Sequence, residues 1–287
     1  MLELVWLIPA LPLAGFLVNI FFGKRIGEPW AGWIATVAMA SAFVVSCLVT
    51  IGLFAEPEES RVFVQTLFTW IPAGDFSVDI GLYVDPLSMT MVTLMVTGVG
   101  TLIHLYSIGY MHGDARFSRF FAYLNLFAAS MLLLVLGDNL LLTFLGWEGV
   151  GACSYFLIGF WFEKPENGTA GKKAFVTNRV GDTGFLLAMF VTFLTFGSLE
   201  YSEVLPLAPG LAEGTAIAIA LLLFVGAVGK SAQIPLFVWL PDAMAGPTPV
   251  SAFIHAATMV TAGVYLLCRM KPVLAASPDW VPFVIPL

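Results

Sequence analysis

The sequence predicts an all-α polytopic membrane protein: about eight complete transmembrane helices, the start of a ninth, and a short external β-hairpin between helices two and three. Three observations carry that expectation. Hydrophobic residues make up 59% of the 287 positions and charged residues 11%, where a soluble domain carries roughly 25% charged. Mean hydropathy is +0.93. The apolar residues also fall in runs long enough to cross a bilayer core, which takes about 20 residues.

Those runs cover roughly residues 4–22, 31–54, 86–109, 118–137, 139–162, 174–196, 214–240 and 249–270, separated by glycine, proline and charge. Another opens at Asp279-Trp280 and is cut at Leu287, so the sequence reads as the front part of a longer protein. The first run has no basic residue before it, and Lys24-Arg25 follow it; it reads as a retained helix and not as a signal peptide. Between the second and third runs, residues 62–84 change character. Val62, Val64, Phe76, Val78, Ile80 and Leu82 keep a rough alternation around Pro72-Ala73-Gly74-Asp75, the pattern of a hairpin. An open-edged hairpin leaves backbone groups unpaired, so it belongs outside the hydrocarbon.

Charge placement sets the expected orientation. With the N-terminus outside, Lys24, Arg25, Arg116, Arg119, Lys164, Lys172, Lys173 and Arg179 fall at inside loops and helix ends, against Arg61, Arg269 and Lys271 outside. Glu56, Glu58, Glu59, Asp75 and Asp79 then lie outside, around the hairpin. The net charge of −7 argues against nucleic acid as a partner; the lipid bilayer is the partner that composition demands. Cys47, Cys153 and Cys268 stand alone in apolar segments, with no C-x-x-C pair or Cys/His cluster to signal iron–sulfur, zinc or haem. Asn167-Gly168-Thr169 matches a glycosylation acceptor, but on this topology it faces the cytoplasm and reads as chance.

The most informative residues are ionisable groups inside apolar helices, where insertion costs about 2.5–3.5 kcal/mol and function is the default reading. Glu148 lies in the middle third of the fifth segment, too deep for a short side chain to reach either surface. It is either protonated or paired, and Gly146, Gly149, Gly151, Ala152 and Ser154 around it allow close helix approach. A neutral Glu hydrogen-bonded for packing is the plainer alternative. Lys230 lies in the seventh segment; an amine whose distance to Glu148 can change is a proton switch, while snorkelling to the interface is the alternative. Pro235 follows five residues later and clashes with the carbonyl of Ser231, so this helix is expected to break. Broken helices persist at membrane depth only beside a polar or watery cavity.

The eighth segment opens with Gly246-Pro247-Thr248-Pro249, and on a regular helix Ser251, His255, Thr258 and Ala262 share one face. His255 can exchange protons near neutral pH, with hydroxyls alongside to hold relay waters; a lone packed histidine is the alternative. Arg179 and Asp182 are spaced to pair at i, i+3, with Lys173 starting their helix, equally readable as an electrostatic brace or as structure. His104 and His112, with Tyr106 and Tyr110, read as interfacial anchors.

These residues resemble a known family. Gly146-Trp147-Glu148-Gly149-Val150-Gly151, Arg179-Val180-Gly181-Asp182, Gly229-Lys230-Ser231-Ala232-Gln233-Ile234-Pro235, Leu240-Pro241-Asp242-Ala243-Met244, Gly246-Pro247-Thr248-Pro249-Val250-Ser251-Ala252 and His104-Leu105-Tyr106-Ser107-Ile108-Gly109-Tyr110-Met111 look like the antiporter-like L subunits of NADH-quinone oxidoreductase, respiratory complex I. Lys173-Ala174-Phe175 matches as well. The resemblance implies a proton-pumping arm built from two inverted five-helix repeats, each with a broken helix. Residues 1–117 would be an N-terminal three-helix region, 118–270 the first repeat, and 271–287 the start of the second. Glu148 and Lys230 would be the coupled pair, with His255 leading onward and Arg179, Asp182, Lys173, Ser251 and Thr258 in support. The same resemblance implies the other membrane subunits of complex I as partners and a bacterial-type inner (plasma) membrane or equivalent energy-coupling membrane as location. The chain would bind no cofactor itself; NADH, FMN, iron–sulfur clusters and quinone would belong to partner subunits. Two neighbouring readings share the fold: an Mrp-type cation/proton antiporter subunit and a hydrogenase-associated membrane subunit. A non-transporting membrane scaffold is the reading of another class.

Overall fold

The computed structural model describes residues 1–73, 76–278 and 281. The Gly74-Asp75 turn and the ninth segment at Asp279-Trp280 lie outside the described residues. Among the described residues eight helices are long and apolar enough to span a membrane. They are α1 (Leu7–Ile26, entered through a 3-10 turn at Leu2–Trp6), α2 (Trp30–Phe54), α3 (Pro86–Tyr110), α4 (Phe117–Leu136), α5 (Leu140–Ile158), α6 (Pro165–Phe196), α8 (Glu213–Lys230) and α9 (Thr248–Arg269). Two short helices, α7 (Tyr201–Leu207) and α10 (Lys271–Ala275), lie between and after them. The expected hairpin is present as antiparallel strands β1 (Phe63–Ala73) and β2 (Phe76–Val84).

Several boundaries move for physical reasons. The sixth helix starts at Pro165 and not at residue 174, because a proline suits the first helical position and the polar stretch from Glu166 to Lys173 continues the helix beyond its apolar part. Lys173 therefore sits inside that helix rather than starting it. The seventh ends at Lys230, and the residues up to 240 form turns and a short 3-10 helix (Leu236–Trp239) instead of continuing the α-helix. In the third, residues Met91–Val99 widen into a π-helical stretch. Thr97 donates there to the Val92 carbonyl at 2.7 Å, and its hydroxyl meets Ser46 of α2 at 3.0 Å.

Helix packing runs α1 on α4, α4 on α5, α5 on α6, α6 on α8 and α8 on α9, with α2 and α3 closing against the α1–α4 side. Of the eight spans, α4 is the most enclosed, whereas α1 and α2 leave broad apolar faces outward, among them Phe21, Trp30 and Val37. A bilayer solvates such faces.

One face of the bundle is stitched by backbone. Asp138 N–H donates to the Gly81 carbonyl at 3.2 Å, Tyr201 N–H to the Asp138 carbonyl at 3.0 Å, and Asn139 Nδ2 to the Asp79 carbonyl at 2.9 Å. The hairpin, the α4–α5 turn and the loop before α7 thus share one side. On the opposite face Glu28 pairs with His112 and Arg116 with Glu163, while Trp161 Nε1 donates to Asp114 at 3.0 Å.

The hairpin face also holds a cation that the sequence hid. Arg269, at the end of α9, is buried and forms a two-pronged pair with Asp85 at 2.6 and 2.9 Å. The rings of Tyr83, Tyr201 and Tyr265 surround its guanidinium at 4.8–5.6 Å. Burial alone would raise the Asp85 carboxyl, but Arg269 and the Ser88 cap hold it below the usual carboxylate range. His104 is also corrected. It is fully buried inside α3, bonded through Nδ1 to the Gly100 carbonyl at 2.7 Å and through Nε2 to Asn125 of α4 at 2.8 Å, so it is no interfacial anchor.

Candidate functional site

The buried charges predicted from sequence gather where α5, α6 and α8 meet. Glycines make the approach close: a Cβ on Gly181 of α6 would lie 2.9 Å from the Gly229 Cα of α8. Such contact is open only to small residues. It lets the final side chain of α8, Lys230, reach across to α5. Lys230 is wholly buried, and its Nζ lies 2.7 Å from where a Gly151 Cβ would stand.

The pairing differs from the expectation. Lys230 Nζ is 3.7 Å from Asp182 Oδ2, and Glu148 Oε2 is 2.5 Å from Arg179. Arg179 and Asp182 do not pair with each other, because Asp182 points inward, buried between α5 and α8, while Arg179 lies half-exposed against the Phe175 ring. Two carboxylates and two cations therefore form crossed pairs, Glu148–Arg179 and Asp182–Lys230, side by side. Trp147 ties them together: its Nε1 donates to Asp182 Oδ1 at 2.6 Å, and its ring lies 5.7 Å from Lys230 Nζ. Sequence reasoning assigned Trp147 no role, although the indole is the residue next to Glu148.

Polar capacity is left over here. Lys230 Nζ and Glu148 Oε1 are buried without a hydrogen-bond partner among the protein atoms. Unmet donors and acceptors at membrane depth mark a place for water.

The helix break lies directly beyond Lys230. Ser231 ends the helix, Ala232 takes a left-handed backbone (φ +50°), and Gln233 N–H reaches back to the Val228 carbonyl. The freed Gly229 carbonyl accepts from Trp239 Nε1 at 3.0 Å, and Ser231 Oγ donates to the Val260 carbonyl of α9 at 2.8 Å. The α9 helix is interrupted too. Residues Phe253–Ala257 form a π-turn, and Thr258 leaves helical geometry at φ −139°. The even spacing of Ser251, His255, Thr258 and Ala262 along one face is therefore lost. Thr258 spends its hydroxyl on the Phe253 carbonyl at 2.5 Å. His255 stands 5.9 Å from the Trp239 ring, with both ring nitrogens buried and unpartnered. Lys173 is remote from the cluster and pairs with Asp242 at 2.6 Å, half-exposed, fastening α6 to the segment after the break.

Buried charges paired across α5, α6 and α8, next to two interrupted helices, agree with the comparisons. Residues 137–287 match the family profile described as NADH:quinone oxidoreductase/Mrp antiporter, TM, and residues 70–121 match NADH-Ubiquinone oxidoreductase (complex I), chain 5 N-terminus. The chain belongs to the NADH:quinone oxidoreductase/Mrp antiporter transmembrane family. Within it, the chain is 53% identical over 273 residues to NADH-quinone oxidoreductase subunit L of Mycobacterium tuberculosis, covering 95% of this chain and 43% of that one. It is 49% identical to subunit L of Escherichia coli, covering 94% and 44%. The chain thus spans less than half the length of these relatives. The family fold is also found in the Mrp complex from Dietzia sp. DQ12-45-1b, with a TM-score of 0.82 at 31% identity over 94% of this chain and 28% of that one.

Proposed function

We propose that this chain is the leading part of a membrane-arm subunit of NADH-quinone oxidoreductase and translocates protons as quinone is reduced elsewhere in the complex. The observation that carries the proposal is Lys230: an amine without exposure, without a hydrogen-bond partner, 3.7 Å from one carboxylate and at the end of an interrupted helix.

The cluster can act as a charge relay. Its two cations and two carboxylates balance, so moving one charge re-pairs the rest. Arg179 is the mobile member, half-exposed and held by Glu148 and a stacked ring. When Arg179 swings towards Asp182, Lys230 loses its counter-charge and hands a proton to water. When it swings back to Glu148, Asp182 is free to draw Lys230 again and the amine is reloaded. His255, whose nitrogens await partners, receives the proton on the way to the rest of the protein. Residues 118–270 serve as the first of two repeats. In this proposal the hairpin face is the outside of the energy-coupling membrane, and the redox groups sit in partner subunits.

Pumping by the assembled complex in inverted membrane vesicles tests this. Lys230→Ala and Glu148→Gln should abolish it with assembly intact. Lys230→Arg should be impaired, because a guanidinium does not deprotonate in proteins. Normal pumping by Lys230→Ala leaves the buried charges as packing devices and overturns the proposal. A second reading, cation/proton antiport, is favoured by the likeness to the Mrp complex; sodium transport without NADH would select it.

A further inference from the structure

On the face opposite the hairpin, α1 and α4 part to leave a cavity of about 360 Å³, lined by Asn19, Lys24, Arg116, Ser118 and Arg119 among others. Among the described residues no carboxylate lines it. The acids nearby are already engaged: Glu28 with His112 and the Gly113 N–H, Asp114 with Trp161 and the Arg116 N–H, Glu163 with Arg116. Among the described residues Lys24 and Arg119 form no salt bridge, so the cavity holds uncompensated positive charge. These two stand in the last turn of α1 and near the first turn of α4, the level at which lipid phosphates lie.

The cavity floor carries a second sign. Asn19 is 2% exposed; its Nδ2 donates to the Ala31 carbonyl at 3.0 Å, but its Oδ1 is buried with no partner. A buried acceptor left unpaired is costly, so this cavity calls for a ligand that presents a donor as well as an anion. Ile20, Phe21 and Phe22 of α1 project outward beside it, 41%, 72% and 53% exposed, as an apolar wall for acyl chains.

We propose that this cavity binds an anionic phospholipid with a hydroxyl-bearing head group, of the phosphatidylglycerol type. The phosphodiester sits between Lys24 and Arg119, and a head-group hydroxyl donates to Asn19 Oδ1. Basic pockets between spanning helices on the cytoplasmic side are matched to anionic lipid, and the positive-inside orientation puts this cavity in that leaflet. Phosphatidylcholine lacks both the net charge and the donor. Inorganic phosphate has the charge but no apolar portion to hold it at the membrane.

The assembled complex carrying the full-length chain, delipidated and returned to nanodiscs, gives the test. A photoactivatable phosphatidylglycerol should label residues 19–24 and 115–119, and phosphatidylcholine or inorganic phosphate should not compete. Lys24→Gln with Arg119→Gln should weaken retention about 30-fold, taking about 1 kcal/mol per lost cation near the surface. Lys172→Gln should leave retention unchanged. Asn19→Leu should erase the preference for phosphatidylglycerol over phosphatidylmethanol, which keeps the phosphodiester charge but has no head-group hydroxyl. If the paired variant fails to assemble, salt titration of the wild type decides, since retention must fall as salt rises. Labelling elsewhere, equal competition by phosphatidylcholine, salt-independent retention, or cross-linking of the cavity to a partner polypeptide would each overturn the proposal.

Discussion

Gly151→Ala separates function from folding more sharply than removal of a charge. Only one atom outside its own chain neighbourhood lies within 4 Å of the new methyl group, and that atom is Lys230 Nζ at 2.7 Å. An ordinary contact needs about 3.4 Å, so the ammonium must move by about 0.7 Å while the helices stay in place. Its charge partner is 3.7 Å away. At an effective dielectric of about 20, closing or opening that gap by this amount changes the pair energy by about 1 kcal/mol, or three- to sixfold in a rate that depends on breaking the pair. The backbone effect has the opposite sign: alanine in a helix interior is favoured over glycine by about 0.5–1 kcal/mol. The variant should therefore assemble at least as well as wild type and pump at a rate changed several-fold, slower where the ammonium is pushed onto Asp182 and faster where it is pushed away. Dye-detected acidification of inverted vesicles, normalised to NADH oxidation with an artificial acceptor, measures both. Wild-type pumping, or slow pumping that merely tracks lost assembly, would refute the reasoning.

Four further outcomes follow from other contacts in the bundle. Trp147→Phe deletes the indole donor to Asp182, a hydrogen bond to a charged group worth about 1.5–3 kcal/mol; Asp182 then closes on Lys230 and pumping should slow in an assembled complex. Arg269→Leu strands buried Asp85 and should cost about 3–5 kcal/mol, read as lost assembly or a lower melting temperature, and Arg269→Lys should not restore it because an ammonium cannot make the two-pronged contact. Burial and the neighbouring Glu200 carboxylate push Asp138 up to about 6. The folded state then holds this proton more tightly than the unfolded one, so stability should fall as pH rises from about 4 to about 6, by about 2–3 kcal/mol in all; Asp138→Asn should flatten that part of the melting profile. Asn125→Leu leaves the buried His104 ring short of a partner and should cost about 1–3 kcal/mol in thermal stability with Asn125→Gln less damaging.

Much of the fold was legible because lipid leaves the backbone few options. Eight apolar runs become eight spans, and the alternating stretch at 62–84 becomes the hairpin, since periodicity and length are enough to fix both. The break beyond Lys230 was legible from Pro235, although the helix gives way earlier, at Ser231 and Ala232. What sequence spacing could not supply was pairing. Glu148 and Lys230 read as partners because each is a lone charge in an apolar helix. Each finds a nearer counter-charge on α6, because Asp182 is buried against Lys230 while Arg179, half-exposed, reaches Glu148. The π-turn in α9 was equally hidden: Ser251, His255 and Thr258 share a face only on a regular helix, and Phe253–Ala257 is not one. Arg269 counted as one more outside charge, with no sign in its surroundings of the three tyrosines that enclose it. One clue was readable. Asp85-Pro86-Leu87-Ser88 is a capping box, which marks Asp85 as an oriented carboxylate at a helix start.

The distribution of constraint explains why the interrupted helices can matter. The hairpin face is tied at several elements: β2 to the α4–α5 turn by backbone, that turn to the loop before α7, and α9 to the start of α3 through Arg269 and Asp85. Tyr265 completes the tie by donating to the Val135 carbonyl of α4 at 2.6 Å. Beyond the breaks the ties are different in kind. Ser231 to Val260 and Trp239 to Gly229 are single neutral bonds, and Lys173–Asp242 is half-exposed. A neutral bond contributes about 1 kcal/mol, and an exposed ion pair less than that. Any rearrangement of α8 and α9 therefore costs least on the side of the breaks opposite the hairpin, with the hairpin-side end of α9 held through Arg269 and Tyr265. Lys230 and His255 both sit where the fixed and movable parts join, so a small shift there alters their surroundings without unfastening the bundle.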